Sequence, residues 1–317
     1  MEPQQRKRIV VALGGNAIAP AGQPDTPEVE ISNVRRTMAP LAELVDRGFE
    51  VVITHGNGPQ VGAVLRKNEL ARHELPPIPL DWCVAETQAT IGFLVANALG
   101  WELERRGVGR PVVPVVSRVR VSRDDSAFAR PSKPIGGYLQ DPDEIRRRQQ
   151  DGEVFVHHGE RGWRRVVPSP EPLESLDRRA AELLLEDGAV VVANGGGGIP
   201  VTIGEDGRFE GVEAVVDKDL SAALLAAEVG ADRLVILTDV RGVALDHGDE
   251  TERWLEEVGV EDLRRYSGEG QFGTGSMAPK VEAACRFLEQ GGELAVIGSL
   301  DDALDVTFGR AGTRVHS

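Results

Sequence analysis

Hydrophobic residues along this chain follow two patterns: short unbroken runs that end near glycine, and longer stretches with helical spacing. Residues 9–13, 50–54 and 189–193 form runs of the first kind, which are typical of parallel strands buried on both faces. Between the first two runs, apolar residues instead recur every three or four positions and stop at Gly48, which predicts a helix. Together these segments predict a βαβ unit.

The same alternation continues along the rest of the chain. Further strands are predicted over 112–116, 233–238 and 294–297, and further helices over 81–99, 174–187, 220–229 and 280–290. Strands that alternate with helices predict an α/β fold, a doubly wound and mainly parallel sheet with helices on both faces.

One segment, residues 118–168, departs from this pattern. It is polar, charged and rich in proline, and it lacks the periodicity of a core element. At about fifty residues it is too long for a structureless loop inside a compact domain. Residues 155–158 and Trp163 suggest short hairpin strands within it. We therefore predict an inserted subdomain that protrudes from the sheet and acts as a mobile lid.

The composition narrows the class of protein. At 317 residues, the chain is long enough for one large α/β domain or for two lobes. Hydrophobic residues make up 41% and charged residues 27%, which is ordinary for a soluble globular protein. The formal net charge of −15 argues against sequence-independent nucleic-acid binding, because such binding needs clustered Lys and Arg.

Cysteine usage and the first residues bear on location. Cys83 and Cys285 are far apart and lack metal-ligand spacing, which favours a reduced, cytosolic protein. The apolar run 9–13 is too short for a signal peptide or a transmembrane helix. We therefore expect a cytoplasmic protein with neither a membrane nor a nucleic-acid partner.

Four turns rich in glycine or charge follow predicted strands or precede predicted helices: 14–16, 56–58, 195–198 and 217–219. Glycine lacks a Cβ, so the backbone N–H groups of such turns approach an oxyanion closely. Each turn alone is equally well explained as a tight turn without a ligand, but ligands of open α/β sheets bind at the carboxyl ends of strands. The four turns together predict an enzyme that handles phosphate.

Other phosphate motifs are missing from the sequence. The chain contains no G-x-x-x-x-G-K-[ST] motif, which argues against a P-loop kinase. The first predicted βα turn lacks a dinucleotide fingerprint, which argues against a dehydrogenase. Phosphoryl transfer needs positive charge around the moving group, and the candidates are Lys133, Lys218 and Lys280. Spacing alone cannot choose among them, since each is also explained as a solvated or ion-paired lysine.

The whole chain resembles the carbamate kinases, a family within the amino acid kinase superfamily. The matching segments follow the order of that family along the chain: 12–17, 54–62, 79–81, 133–136, 195–201, 217–220, 237–240 and 275–280. The resemblance implies a three-layer αβα sandwich and a homodimer. It implies a single domain, 1–317, with a carbamate- and phosphoryl-binding lobe at 1–205, the lid subdomain at 118–168 and a nucleotide-binding lobe at 206–317.

The activity that the resemblance implies is Mg²⁺-dependent phosphoryl transfer between carbamoyl phosphate and ADP, giving ATP and carbamate. Mg²⁺ would be held by the nucleotide phosphates, without a metal ligand from the protein. The transferred phosphoryl group would lie against Gly14, Gly15 and Asn16, and the carbamate end against Gly56, Asn57 and Gly58. The catalytic residues would be Lys133, Lys218, Asp219 and Lys280, and the nucleotide-binding residues Lys218, Thr238, Asp239, Met277 and Lys280.

Several positions bear on which branch of the superfamily this is. Many relatives carry a lysine two residues before the first glycine pair, where this chain has Ala12. The resemblance implies that Lys133 supplies that charge from the inserted subdomain. Residues 82–86 and Gly137 differ from the pattern of the family, and the tract 195–198 is expected on the nucleotide side.

Two alternative functions stay open at this point. One is a kinase of the same fold that acts on another small carboxylate or phosphonate acid. The other is a nucleotide-binding regulatory protein without turnover. The lysines and Asp219 argue against the second alternative, because a sensor needs few of them.

Overall fold

The structure, a computed structural model, describes residues 7–20, 22–23, 26–273 and 277–317. Its helices are α1 Pro27–Asp46, α2 Gly58–Ala71, α3 Leu80–Arg105, α4 Ser126–Ala129, α5 Pro142–Gln150, α6 Arg178–Glu186, α7 Lys218–Glu228, α8 Val260–Gly268, α9 Met277–Glu289 and α10 Ala303–Thr307. Short 3₁₀ helices span Gly15–Ala17, Gly159–Arg161, Gly195–Gly197 and Leu300–Asp302.

The strands fall into four sheets. In chain order they are β1 Arg8–Leu13, β2 Glu50–His55, β3 Val112–Pro114, β4 Arg118–Arg120, β5 Lys133–Leu139, β6 Val154–His157, β7 Trp163–Val167, β8 Glu174–Ser175, β9 Val190–Val192, β10 Ile199–Ile203, β11 Phe209–Gly211, β12 Arg233–Thr238, β13 Val243–Leu245, β14 Arg253–Leu255, β15 Glu257–Gly259, β16 Leu294–Ser299 and β17 Thr313–His316.

The central sheet has the strand order β15-β17-β16-β12-β1-β2-β9-β3. Strand β17 runs antiparallel to β16, and the other neighbouring strands run parallel. The predicted mainly parallel sheet is confirmed.

Both faces of this sheet are buried, which explains the unbroken apolar runs. In β1, Val10 and Ala12 belong to the apolar core on one face, whereas Ile9, Val11 and Leu13 belong to the core on the other. Helices α6, α7, α8 and α9 cover the first face, and α1, α3 and α10 cover the second. The fold therefore has three layers.

Several predicted boundaries differ from the structure; for example, the helix expected over 81–99 extends to Arg105. The helix expected from residue 174 begins at Arg178, because Glu174 and Ser175 pair as β8 with β4. The strand expected over 112–116 ends at Pro114. A two-residue strand leaves too short a pattern to be separated from an adjoining helix by periodicity.

The segment 118–168 contributes to two sheets. Strand β4 lies in a four-stranded sheet of order β11-β10-β4-β8. Strands β5, β6 and β7 form an antiparallel sheet that, with α5, we call the outer subdomain. The hairpin strands predicted around 155–158 and Trp163 are confirmed as β6 and β7.

The outer subdomain touches the rest of the molecule closely at α2. A Cβ on Gly62 of α2 would lie 3.1 Å from the Cα of Gly136 in β5. None of the described helices is long and apolar enough to cross a membrane.

Candidate active site

The first two glycine turns meet at the carboxyl edge of the central sheet. Gly14 N–H donates to the carbonyl oxygen of Leu237 at 2.9 Å, and Gly56 N–H donates to that of Leu13 at 3.0 Å. A Cβ on Gly56 would lie 3.0 Å from the backbone nitrogen of Gly15. This close approach accounts for glycine at position 56, while a Cβ on Gly14 would lie 3.1 Å from the carbonyl oxygen of Leu237. The two turns therefore lie against each other at this edge of the sheet.

A buried carboxylate, Asp219, pairs with two of the predicted lysines. Its Oδ2 accepts a hydrogen bond from Lys280 Nζ at 2.9 Å, and its Oδ1 accepts one from Lys218 Nζ. Burial opposes ionisation of Asp219, but the two lysine charges outweigh it and hold its pKa at about 2. Burial lowers the pKa of Lys218, and Asp219 opposes that change. The carboxylate therefore holds two ammonium groups side by side.

The third lysine, Lys133, reaches the same place from the outer subdomain. Its Nζ donates to Asp217 Oδ2 at 2.6 Å, while Asp217 Oδ1 accepts from the N–H of Asp219 at 2.9 Å. Asp217 is thus the N-cap of α7, a position at which aspartate is favoured. The sequence pointed to Asp217 only as part of the charged turn 217–219, and its pairing with Lys133 is visible only in the structure.

A cavity of about 460 Å³ opens at the carboxyl ends of β1, β12 and β16. The residues that line it include Gly14, Gly15, Lys218, Lys280, Thr238 and Asp239. A smaller cavity of about 90 Å³ shares Thr238, Asp239 and Lys280 with it and extends to Met277. The residues predicted to bind nucleotide therefore line two adjoining cavities, and their roles stay predictions.

Polar side chains hold the second glycine turn, residues 56–58, in place. Asn57 Nδ2 donates to Thr87 Oγ1 at 2.9 Å, and Thr87 Oγ1 donates to the carbonyl oxygen of Val84 at 2.7 Å. No sequence motif pointed to Thr87, which is a polar residue on the buried face of α3.

His55 lies directly beside this turn. Its Nδ1 is 3.0 Å from the carbonyl oxygen of Gly56. Because a carbonyl oxygen only accepts, Nδ1 carries the hydrogen. Burial lowers the pKa of His55 to about 4, so the imidazole is neutral near pH 7. His55 therefore positions the turn rather than adding charge to it.

The glycine tract 195–198 lies against the same turn, and its residues line neither of the two cavities to which we predict that the nucleotide binds. A Cβ on Gly195 would lie 2.3 Å from His55 Nε2, and one on Gly196 would lie 2.1 Å from Asn57 Nδ2. Gln88 Nε2 donates to the carbonyl oxygen of Gly195 at 2.8 Å and fixes the tract to α3. The missing side chains make room for His55 and Asn57, a long-range requirement that no local pattern reveals.

The remaining predicted positions can also be placed. The backbone of Asn16 lies in the 3₁₀ helix Gly15–Ala17, and Gly58 begins α2. Thr274, Gly275 and Ser276, which precede α9 in the sequence, lie outside the described residues. Of the residues that differ from the pattern of the family, Trp82 is 61% exposed, whereas Cys83 is buried.

Comparison with known proteins identifies the family. The model of the amino acid kinase family matches residues 7–299. Over 311 residues, the chain is 47% identical to the carbamate kinase of Pyrococcus furiosus, and the match covers 98% of this chain and 99% of that protein. This chain belongs to the carbamate kinases of the amino acid kinase family.

Further relatives agree with this assignment. Carbamate kinase 3 of Staphylococcus aureus is 44% identical over 316 residues, with coverage of 98% of this chain and 99% of that protein. The carbamate kinase of Giardia lamblia bound to AMP-PNP has a TM-score of 0.92 at 35% identity, over 98% of this chain and 99% of that chain. A protein from Aeropyrum pernix K1 has a TM-score of 0.94 at 45% identity and the same coverage. The predicted three-layer αβα fold is confirmed.

Proposed function

We propose that this protein catalyses reversible phosphoryl transfer between carbamoyl phosphate and ADP, giving ATP and carbamate, which breaks down to ammonia and CO₂. The observation that carries the proposal is the convergence of Lys133, Lys218 and Lys280 on Asp217 and Asp219, beside two touching glycine turns. The relatives cited above support it, since they are named carbamate kinases and one of them binds AMP-PNP.

The proposed transfer depends on positive charge around the phosphates and on the positions of the reactants more than on acid–base catalysis. A terminal oxygen of ADP attacks phosphorus, the bond from phosphorus to the carbamate oxygen breaks, and carbamate leaves as an anion. The attacking oxygen is already ionised, so no general base is required. Positioning and neutralisation of charge then lower the barrier.

Each part of the site has a proposed role in this transfer. The N–H group of Gly15 binds the moving phosphoryl group, with the backbones of Gly14 and Asn16 in the same turn. The turn 56–58 holds carbamate. Lys218 and Lys280 neutralise the phosphates from one side, and Lys133 approaches from the outer subdomain. Asp219 orients two of these lysines. The lobes 1–205 and 206–317 and the lid 118–168 remain our proposed division of the chain.

Mg²⁺ would accompany the nucleotide. It is bound mainly through substrate phosphates, with waters and one or two carboxylates. Asp239 and Asp301 line the larger cavity, so the donor set fits an ion held by nucleotide phosphates. Such an ion would neutralise phosphate charge there.

We also propose that the protein is a homodimer. Large apolar side chains on α3 are exposed, with Phe93 at 59% and Trp101 at 56%. They line a groove of about 510 Å³ between α1 and α3. Exposed apolar surface of this kind marks interaction sites, and a second copy of the chain is the proposed partner.

A cytoplasmic location is proposed because both Cys83 and Cys285 are buried free thiols.

The deciding experiment measures ATP after the protein is incubated with ADP, Mg²⁺ and carbamoyl phosphate. We expect ATP to form, and acetyl phosphate in place of carbamoyl phosphate serves as the control. ATP from another acyl phosphate alone would support a kinase of a different small acid. Binding of ADP with no ATP from any acyl phosphate would support a regulatory protein.

A further inference from the structure

A fourth cation, Arg36, lines the larger cavity together with Gly14, Gly15, Lys218 and Lys280. The two lysines reach the cavity from α7 and α9, which cover one face of the central sheet. Arg36 belongs to α1, which covers the opposite face. Positive charge therefore approaches the cavity from both faces of the sheet.

Helix α1 is fastened to the segment that follows the first glycine turn. Thr37 Oγ1 donates to the carbonyl oxygen of Ala17 at 3.3 Å, and Asn33 Nδ2 donates to that of Ile18 at 3.2 Å. Asn33, Arg36 and Thr37 are three and four residues apart, so they share one side of the helix. These two hydrogen bonds fix the place of Arg36 relative to the turn.

Without Arg36, the charged groups at the cavity would neutralise little of the phosphate charge. Lys218 and Lys280 both pair with the ionised Asp219, so the three groups together carry one net positive charge. Asp239 and Asp301 also line the cavity, and they oppose phosphate binding wherever no cation lies between them and the phosphates. Two lysines that share one carboxylate neutralise little of the negative charge of a nucleoside diphosphate.

The guanidinium of Arg36 differs from the lysines in its contacts. Within the described part of the chain, the guanidinium makes no hydrogen bond or ion pair, and Arg36 is exposed. Its planar set of N–H donors suits two phosphate oxygens at once.

We propose that Arg36 is a binding residue for the phosphates of the nucleotide. The cavity is bounded by Thr238 and Ser299 at the ends of β12 and β16, and no residue of the turn 56–58, to which we assign carbamate, lines it. The inference rests on the proposed function for the identity of the ligand as ADP.

The test is calorimetric titration of ADP with Mg²⁺ into the wild type, Arg36→Gln and Arg36→Lys. We expect Arg36→Gln to weaken ADP binding by about 10- to 100-fold, since a hydrogen bond to a charged group contributes that much. Arg36→Lys should recover part of the loss. The difference between wild type and Arg36→Gln should shrink at high salt, because screening weakens exposed charges.

The matched control is Arg35→Gln, which removes the same charge one residue earlier on α1. Arg35 lines the groove beside Phe93 instead of the cavity, so its loss should leave the dissociation constant of ADP unchanged. Thermal unfolding of each variant checks that the fold persists.

Unchanged ADP binding in Arg36→Gln would overturn the inference. So would a rise in KM for carbamoyl phosphate with ADP binding intact, since that result assigns Arg36 to the other substrate. The titration contains no carbamoyl phosphate, so the two proposals fail separately. A wild type that binds ADP but forms no ATP would overturn only the proposed function.

Discussion

The decisive residues of the site are charged groups that are partners of one another. Lys133 is 37% exposed in its side chain and pairs with Asp217, whereas Lys218 and Lys280, at 14% and 9%, pair with Asp219. Asp217 is buried, but without Lys133 it still accepts hydrogen bonds from the N–H groups of Asp219 and Leu220. An ion pair with an exposed partner contributes about 0–1 kcal/mol to folding. The value of Lys133 to the protein therefore lies in where it puts its charge, not in stability.

Replacing Lys133 with alanine separates these two contributions. We expect Lys133→Ala to lower kcat by about 100- to 1000-fold, as is typical when a group that stabilises transition-state charge is removed. The free energy of unfolding should change by less than about 1 kcal/mol. ATP formation and urea unfolding measure the two effects. Lys67→Ala, on the exposed side of α2, is the control, and wild-type kcat in Lys133→Ala would disprove the role.

His55 makes stability depend on pH. Its pKa is about 4 in the folded protein and about 6.5 in the unfolded chain, so the unfolded state binds more protons between these values. The free energy of unfolding should therefore fall as pH drops from about 6.5 to 4, by up to about 3 kcal/mol from this group. His55→Asn keeps a donor for Gly56 and should flatten that part of the curve.

Urea unfolding at a series of pH values measures this dependence. His73→Asn, an exposed histidine in the loop after α2, should leave the slope between pH 4 and 6.5 as it is in the wild type. If His55→Asn has the wild-type slope, another group is responsible for it.

At the scale of elements, a single buried arginine joins the outer subdomain to α2. Arg148 of α5 is 5% exposed in its side chain and pairs with Glu69 of α2 and with Glu153. Its guanidinium also lies 5.1 Å from the ring centre of Phe155. Removing one partner of a buried ion pair leaves the other charges uncompensated, which costs about 3–5 kcal/mol.

We expect Arg148→Met to loosen the outer subdomain selectively. Hydrogen exchange should accelerate in β5, β6 and β7, while the amides of β1 and β12 keep their protection, because the central core does not depend on this cluster. The kcat should fall as well, since β5 carries Lys133.

The control for this change lies on the same helix. Arg146→Met removes an exposed arginine that pairs with Asp143, and we expect exchange in the outer subdomain to stay at the wild-type rate. Equal exchange in Arg148→Met and the wild type would show that the cluster does not hold the subdomain.

At the scale of the whole molecule, the exposed apolar face of α3 determines the oligomeric state that we expect. Phe93→Asp combined with Trp101→Asp should convert the proposed dimer to a monomer, because burying two new carboxylates opposes association. Light scattering after size-exclusion chromatography measures the mass. Leu183→Asp, an apolar residue on α6 that is 50% exposed, is the control and should stay dimeric. A wild type that is monomeric at micromolar concentration would contradict the proposal.

Much of the architecture followed from local pattern. The run 9–13 predicted β1 because both faces of the strand are buried, and the helix that ends before Gly48 is α1. The pattern failed at residue 174, where a short strand precedes α6. Local sequence predicts an element well when the element is long enough to repeat its own period.

The sequence by itself determined six of the eight strands of the central sheet, the glycine turns at their ends and, through resemblance, the family. Only the tertiary structure decided which charges meet. Lys133 and Asp217 are 84 residues apart, and Lys280 and Asp219 are 61 apart. It also placed the tract 195–198 under His55 and brought Arg36 to the cavity from the opposite face of the sheet. Such contacts join distant segments through the packing of whole elements, so no local spacing encodes them.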